Sequence, residues 1–184
     1  MRIIAGQFRG RKLLSVPDRS VRPTTDRAKQ SIFDMLSHRL DLEGIEVLDL
    51  FAGSGSLGLE ALSRGARHVV FVDKAKASVQ ILEKNITTLG CRPQCSVYPA
   101  DVFWFLKNTR RAFDLVFVDP PYRLEEIGFL PTAIHRSSVV RNGSFVVMEH
   151  SKKSQIELPV AMYDILQKPF GQTIVLILQA KSKS

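Results

Sequence analysis

The sequence predicts an α/β fold with a doubly wound, mostly parallel sheet and helices on both faces. Short apolar runs alternate along the chain with segments of helical period, which is the pattern of consecutive βαβ units. Several of these runs end in an acidic residue, and the first leads into a glycine-rich turn. Because ligands of doubly wound sheets bind at the carboxyl ends of the strands, we expect the functional site there.

The chain begins with a basic segment. Its first 30 residues contain eight Arg or Lys against two Asp, whereas the remaining 154 contain 18 basic and 16 acidic residues. Apolar stretches at 3–6 and 12–16 flank a basic tract, which predicts a small β-hairpin. Such an arginine-rich arm favours a phosphate-binding surface, and so nucleic acid, over a merely solvated face. Phe8 in this tract either stacks on a base or covers the apolar face of the hairpin.

A proline-threonine segment, Arg22 to Asp26, follows and leads into a helix with apolar positions from Ala28 to Leu40. A threonine N-cap with Asp26 in the first turn explains this segment structurally. A role beside a cofactor is the alternative, and the residues do not separate the two.

Residues 47–58 read as a strand, a glycine turn and a helix N-terminus. The spacing Gly53-x-Gly55-x-x-Gly58 satisfies the dinucleotide fingerprint, which is a weak signal alone. Asp49 near the end of the strand would repel a pyrophosphate, but it can accept hydrogen bonds from an ammonium group. The stretch therefore favours a zwitterionic amino-acid ligand such as S-adenosylmethionine over NAD.

Two further strands also lead to acids. The run Val69–Val72 ends in Asp73, which is placed to accept ribose hydroxyls and so suits either NAD or S-adenosylmethionine. A helix over 75–89 and a short strand over 94–98 follow. Asp101 after that strand either meets an adenine amino group or caps the helix predicted over 102–107.

The fourth predicted strand, Phe113–Val118, runs into Asp119-Pro120-Pro121-Tyr122. Two prolines fix an extended backbone and remove two N–H donors, which leaves carbonyls and the Asp119 carboxylate as acceptors. Such a site would hold an amino group. Tyr122 adds a flat face on which a base can stack.

The last third of the chain predicts a helix over 125–138, a turn at Asn142-Gly143 and a strand over 144–148. Strands at 163–170 and 173–179, joined through Gly171, read as a closing hairpin.

The length of 184 residues predicts one domain over 1–184, with a basic arm at 1–22 and a catalytic α/β core at 23–180. No apolar run is long enough for a membrane span, and the N-terminus does not have the pattern of a signal peptide. We therefore expect a cytoplasmic protein with no membrane partner. We also expect a monomer. Two cysteines, Cys91 and Cys95, are expected to be reduced thiols, and no metal site is expected.

These motifs resemble known families. The stretches Asp49 to Gly55 and Asp119 to Tyr122 look like those of class I S-adenosylmethionine-dependent amino-methyltransferases. The stretches Arg2 to Gly6, Arg9 to Arg11 and Arg22 to Arg27 closely resemble the ribosomal small-subunit methyltransferase D family, which methylates the exocyclic N2 of a guanine in 16S ribosomal RNA. The resemblance runs from Met1 to about Glu149.

The resemblance implies a Rossmann-like class I methyltransferase fold with a seven-stranded sheet whose last strand is antiparallel. It implies S-adenosylmethionine as cofactor and 16S ribosomal RNA, within an assembling or assembled small subunit, as partner. Together with the residue chemistry it gives three sets of expected site residues. Catalytic: Asp119, Pro120, Pro121 and Tyr122; cofactor-binding: Thr25, Asp49, Phe51, Gly53, Gly55, Asp73, Lys74, Asp101 and Val102; RNA-binding: Arg2, Phe8, Arg9, Arg11, Lys12, Arg22 and Arg123.

Other functions compete with this interpretation. An adenine-N6 or glutamine methyltransferase would use the same type of tetrapeptide, and only the family resemblance argues against it. An NAD-dependent oxidoreductase or a non-catalytic RNA-binding module is disfavoured by Asp49 and by Asp119-Pro120-Pro121-Tyr122.

Overall fold

The computed structural model describes residues 1–16, 26–121 and 124–183. Within these ranges helices and strands alternate as the sequence predicts. The elements are α1 (Asp26–Ser37), β1 (Glu46–Leu50), α2 (Ser56–Ser63), β2 (His68–Val72), α3 (Lys76–Leu89), β3 (Cys95–Tyr98), α4 (Val102–Asn108), β4 (Phe113–Val118), α5 (Leu130–Arg136), β5 (Val140–Ser151), β6 (Tyr163–Phe170) and β7 (Thr173–Ala180).

The strands form one seven-stranded sheet in the order β3-β2-β1-β4-β5-β7-β6. The first five strands run parallel, and β7 lies antiparallel to both β5 and β6. The predicted fold class, with the last strand antiparallel, is confirmed. Leu50 pairs with both Val72 and Val118, so that β1, β2 and β4 end at the same level of the sheet.

Alternating side chains of the strands point into two separate cores. On one face, residues such as Val47 and Phe117 pack with α1, α2, α3 and the N-terminal arm. On the other face, Leu48 and Val116 pack with α4 and α5. Burial on both faces explains why the central strands are continuous β-branched and aromatic runs rather than alternating ones.

The N-terminal hairpin is present, but its pairing is shorter than predicted. Arg2 and Lys12 form a single antiparallel bridge, flanked by a hydrogen bond from the Ile3 N–H to the Arg11 carbonyl at 3.0 Å. The N–H groups of Ile4, Ala5, Gln7 and Phe8 bind residues of α2 instead. Gly6, at φ +80°, lies so close to α2 that a Cβ there would be 1.7 Å from the Ser63 carbonyl oxygen, which makes glycine necessary.

Two predicted elements in the last third differ. The stretch 125–138 is a 3₁₀ turn (Glu125–Phe129) followed by the short helix α5, because Pro131 starts a new helix rather than continuing one. The predicted turn at Asn142-Gly143 lies inside β5, where the register against β4 shifts between Phe113 and Leu115. The Ser144 hydroxyl donates to the Phe113 carbonyl at 2.7 Å across this irregularity.

Cys91 and Cys95 are buried free thiols whose sulfurs lie 3.8 Å apart. Across the described ranges, no helix is both long and apolar enough to cross a membrane.

Candidate active site

A cavity of about 310 Å³ opens at the carboxyl ends of β1, β2 and β4. Most of the predicted catalytic and cofactor-binding residues line it: Asp49, Phe51, Gly53, Asp73, Lys74, Asp101, Val102, Asp119 and Pro121. Gly55 and Pro120 are neighbours of lining residues and do not line it themselves. Thr25, Arg22, Tyr122 and Arg123 lie outside the described residues.

Asp49 forms the floor of this cavity. The residue is 2% exposed, and its Oδ2 accepts a hydrogen bond from the Gly58 N–H at 2.9 Å. Burial raises the pKa of this carboxyl well above its ordinary value, and the negative charges of Asp119 and Asp73 raise it further, although the Gly58 hydrogen bond opposes the shift. A cationic ligand group beside Asp49 would therefore stabilise its ionised form.

Asp73 holds the turn after β2. Its Oδ2 accepts from the Gly53 N–H and its Oδ1 from the Ala75 N–H, both at 2.8 Å. Since a carboxylate oxygen has two lone pairs, each oxygen can accept a further hydrogen bond from a ligand hydroxyl. The carboxylate thus ties the glycine loop to β2 and still presents acceptors to the cavity.

The glycines of the loop have different tasks. A Cβ on Gly58 would lie 2.4 Å from Phe71 Cε1, and one on Gly55 would lie 2.4 Å from Leu82 Cδ1, so both allow α2 to pack closely on the fold. Gly53, at φ +54°, lines the cavity, and a Cβ there would meet only the Phe51 carbonyl oxygen, at 4.0 Å. Phe51 has φ +58°, a left-handed conformation that is strained for a non-glycine residue and is typical of functional sites.

Asp101 caps α4, which was one of its two predicted roles. Its Oδ1 accepts from the Phe103 and Trp104 N–H groups, while Oδ2 pairs with Lys74 Nζ at 3.2 Å. These interactions lower the pKa of the Asp101 carboxyl although its burial opposes them. Because Asp101 also lines the cavity, capping does not remove it from contact with a ligand.

The cavity carries an excess of negative charge. Four of its described lining residues are aspartates (Asp49, Asp73, Asp101 and Asp119), and the lysine among them, Lys74, is paired with Asp101. Such a surface disfavours a pyrophosphate and favours a ligand with cationic groups.

The two ends of the basic arm lie at this cavity, where Met1, Ser15 and Val16 form part of the wall, whereas the turn of the arm contacts Ser63 at the C-terminal end of α2. Arg9 and Lys12 are exposed, as predicted for RNA-binding residues. Phe8 packs against the core, which supports the structural alternative for this side chain. Arg2 is also exposed but pairs with Asp26 at 3.1 Å, and Arg11 Nη2 donates to the Thr88 carbonyl at 2.7 Å.

A buried ion pair that the sequence analysis missed anchors this arm. Lys29 and Glu60 lie 3.2 Å apart, and both side chains are fully buried. Glu60 also accepts from the Ile4 and Ala5 N–H groups at 2.8 and 3.0 Å, and Lys29 donates to the Arg2 carbonyl at 2.6 Å. Burial lowers the pKa of Lys29, and the Glu60 carboxylate opposes this shift.

Signals for this pair were present in the sequence. Lys29 is the first residue of the stripe Lys29, Ile32, Phe33 and Leu36 that α1 buries. Glu60 interrupts a helix whose eight residues are otherwise apolar or small. A charged residue within an apolar stripe predicts a buried partner.

Asn85 on α3 is a second missed anchor. Its Oδ1 accepts from the Leu14 N–H at 2.8 Å, and its Nδ2 donates to the carbonyls of Leu14 (3.1 Å) and Ser54 (2.9 Å). The buried amide therefore links the end of the arm to the glycine loop.

The chain matches known proteins over almost its whole length. A family model described as Conserved hypothetical protein 95 covers residues 1–179. The chain belongs to this family. Ribosomal RNA small subunit methyltransferase D of Escherichia coli (strain K12) is 40% identical over 78% of this chain and 77% of that protein. The Haemophilus influenzae protein of the same name is 36% identical over 86% of this chain and 83% of that protein.

Solved structures agree. The protein yhhF from Escherichia coli superposes with a TM-score of 0.85 at 32% identity, covering 100% of this chain and 99% of that one. Together with the family match, these relatives confirm the resemblance to the ribosomal small-subunit methyltransferase D family that the sequence motifs indicated.

Proposed function

We propose that this chain is an S-adenosylmethionine-dependent methyltransferase that methylates the exocyclic N2 amine of a guanine in 16S ribosomal RNA. The observation that carries the proposal is the negatively charged cavity at the strand ends, lined among others by Asp119 and Pro121. Membership of the family, whose relatives are named for small-subunit ribosomal RNA methylation, supports the choice of substrate.

The cavity residues fit S-adenosylmethionine. Asp49 would accept from its ammonium group, Asp73 from its ribose hydroxyls and Asp101 from its adenine amino group. The cofactor's ammonium and sulfonium charges match the excess of carboxylates, whereas a dinucleotide would bring two phosphates against them. When bound, the cofactor supplies an electrophilic methyl group on sulfur.

Asp119 and Pro120 would position the target amine. The guanine N2 lone pair is conjugated with the ring, so that it attacks poorly unless the nitrogen is oriented and gains electron density. Hydrogen bonds from the amine to the Asp119 carboxylate and the Pro120 carbonyl do both, because each acceptor fixes one N–H direction and draws its hydrogen away from nitrogen. Tyr122 would stack on the base, which must first leave its own stack at a cost of a few kcal/mol.

The basic arm would bind the RNA. Arg9 and Lys12 are exposed on the arm, whose two ends line the cavity, and Arg22 and Arg123 are further RNA-binding residues predicted from the sequence. We further propose that the protein acts in the cytoplasm, as a monomer and one catalytic domain, on an assembling or assembled small subunit. A chain of 184 residues encloses little RNA, so that folded RNA or ribosomal proteins would supply part of the recognition.

Tritiated methyl transfer from S-adenosylmethionine to unmodified 16S RNA and to small subunits, with nucleoside analysis of the product, tests the proposal. N2-methylguanosine is the expected product, with a faster rate on subunits. N6-methyladenosine or labelled protein would replace the guanine assignment by one of its alternatives. RNA binding without incorporation into any acceptor would identify a binding module instead.

A further inference from the structure

We propose that Lys152, Lys153 and Lys168 form a second phosphate-binding surface, the lysine edge, on the flank of the cavity away from β2 and β3. It would bind the backbone of the same RNA whose base enters at Asp119. The inference rests on the proposed function, since it needs an RNA substrate, and it adds a contact surface that the N-terminal arm does not include.

The topology places these lysines at the edge of the sheet where the cavity opens. Lys152 and Lys153 follow directly after β5, which is parallel to β4. Because β7 is antiparallel to both neighbours, β6 points in the same direction as β5, and the turn at Gly171 lies at the same edge. The Lys152 N–H donates to the Gln172 carbonyl at 3.0 Å, which fixes the two turns to each other.

The lysine side chains are available to a ligand. All three residues are exposed, and none forms an ion pair within the described ranges. Lys181 differs, since it pairs with Asp164 at 3.1 Å near the other edge of the sheet. Lys168 Nζ lies 5.7 Å from the centre of the Phe170 ring, which packs against the core on the face that also carries the arm.

The distance suits a single RNA segment. Met148 on β5 pairs with Val118, which immediately precedes Asp119, and β6 is three strands from β4. At ~4.8 Å per strand this separation is about 14 Å. At about 3.4 Å per charge along a stacked strand, this corresponds to roughly four nucleotides. A target nucleotide at Asp119 would therefore have its neighbours within reach of the lysine edge.

Acidic residues also occur near this surface. Glu149 on β5 pairs with Val175, which pairs with Lys168, so that Glu149 and Lys168 lie in one row with β7 between them. Glu125 and Glu126 directly precede Ile127, which packs in the core of the opposite face of the sheet. Lysine on an edge strand also hinders strand pairing between molecules. Of the three lysines, only Lys168 on the edge strand β6 can be explained in this way. Lys152 and Lys153 lie in a turn beyond the end of β5, where no such protection is needed.

The test replaces the three residues together: Lys152→Gln, Lys153→Gln and Lys168→Gln. A matched control removes the same number of positive charges near the amino ends of the strands. It carries Lys107→Gln, Arg110→Gln and Arg136→Gln, which are exposed residues near the C-terminal ends of α4 and α5. The measurements are the affinity for 16S RNA at several salt concentrations, the affinity for S-adenosylhomocysteine, the methylation rate and the melting temperature.

We expect the lysine-edge variant to bind RNA at least ~10-fold more weakly and to lose about two units of the slope of log K against log salt, at ~0.7 per single-strand phosphate contact. Cofactor affinity and melting temperature should match the control variant. RNA affinity and salt slope equal to those of the control would overturn the inference. Unchanged affinity for protein-free RNA with a slower rate on subunits would overturn it too, since the surface would then contact a ribosomal protein. Failure of the unaltered chain to bind or methylate RNA would instead count against the proposed function.

Discussion

The Gly58 N–H and the Asp49 carboxylate form a hydrogen bond of 2.9 Å inside the core of the molecule. Gly58 belongs to α2 and Asp49 to β1, so that the bond joins the helix after the glycine loop to the strand before it. This hydrogen bond offsets only part of the cost of burying the Asp49 carboxylate, which is 2% exposed and near Asp73 and Asp119. Ionisation of this carboxyl costs stability in the ligand-free protein, and a cationic ligand group would offset that cost.

Asp49→Asn should therefore stabilise the ligand-free protein while it weakens cofactor binding. The amide keeps an acceptor for the Gly58 N–H and removes a buried charge, which is worth roughly 0.5–2 kcal/mol of unfolding free energy at neutral pH. Urea denaturation measures the gain, and calorimetry with S-adenosylhomocysteine measures the loss, which we expect to exceed ~100-fold, or about 2.7 kcal/mol. A variant that is less stable and binds normally would contradict both parts.

Cofactor affinity should depend on pH through the same carboxyl group. Burial raises the pKa of Asp49 in the free protein, and a bound ammonium group would lower it again. Binding therefore releases a proton below the raised pKa, and affinity is full above that pKa and falls by up to about tenfold per pH unit below it. Calorimetry from pH 4.5 to 7.5 in two buffers of different ionisation enthalpy measures this proton. A constant affinity with no proton exchange would refute the linkage.

Alanine at two glycines should separate packing from ligand contact. Gly58→Ala places a Cβ 2.4 Å from Phe71 and 2.8 Å from Val69, so we expect a loss of about 1–3 kcal/mol of stability through overpacking. Gly53→Ala places a Cβ 4.0 Å from the Phe51 carbonyl oxygen and costs roughly 1–2 kcal/mol for its left-handed backbone. For each variant, the loss of cofactor affinity is compared with the loss of unfolding free energy. This ratio should be much larger for Gly53→Ala, because its new methyl group enters the cavity wall. Equal ratios for the two variants would show that Gly53 has no contact with the ligand.

The buried Lys29–Glu60 pair should be the main attachment of the arm. Lys29→Met leaves an ionised Glu60 with Arg64 as its remaining cationic partner, at a cost of about 3–5 kcal/mol. Adding Glu60→Gln should restore part of that loss, because the fully buried carboxylate is then removed and Arg64, whose side chain is 15% exposed, is the charge that remains. Hydrogen exchange at Ile4 and Ala5, whose amides bind Glu60, reports release of the arm. Additive losses in the double variant would mean that the two charges are not coupled.

Asp119→Ala should abolish methyl transfer and leave both ligands bound. Loss of the acceptor for the target amine is expected to lower kcat by about 10²–10⁴-fold. Affinities for RNA and S-adenosylhomocysteine should stay within roughly threefold, since neither depends on orientation of the amine. The conservative Asp119→Asn keeps one acceptor oxygen and should retain more activity. Turnover that survives in the alanine variant would move the catalytic acceptor elsewhere.

The strands and the position of the site at their carboxyl ends follow from local signals, and this is why the sequence predicts them well. Val69–Val72 and Phe113–Val118 are continuous apolar runs that end in acids, and parallel strands bring those ends to one edge. Asp101 shows the limit of such reasoning. The sequence offered capping of α4 and contact with a ligand as alternatives for this side chain. In the structure Asp101 both caps α4 and lines the cavity.

Long-range side-chain partners could not be predicted in the same way. Glu60 binds backbone groups that lie 55 and 56 residues away, and Asn85 reaches Leu14 over 71 residues. Periodicity marks such residues as anomalies and does not name their partners. The inclusion of Asn142-Gly143 in β5 could not be predicted for a related reason. This dipeptide commonly forms a turn, and its place within a strand depends on pairing with β4.

Asn85 couples the position of the arm to the position of the glycine loop. One amide holds both backbone groups of Leu14 and the carbonyl of Ser54, so that a displacement of either segment disturbs the hydrogen bonds of the other. Any molecule that immobilises the arm thereby reduces the entropy that the loop must lose on binding its own ligand. Thermodynamic reciprocity then requires that each ligand raise the affinity for the other by one and the same factor.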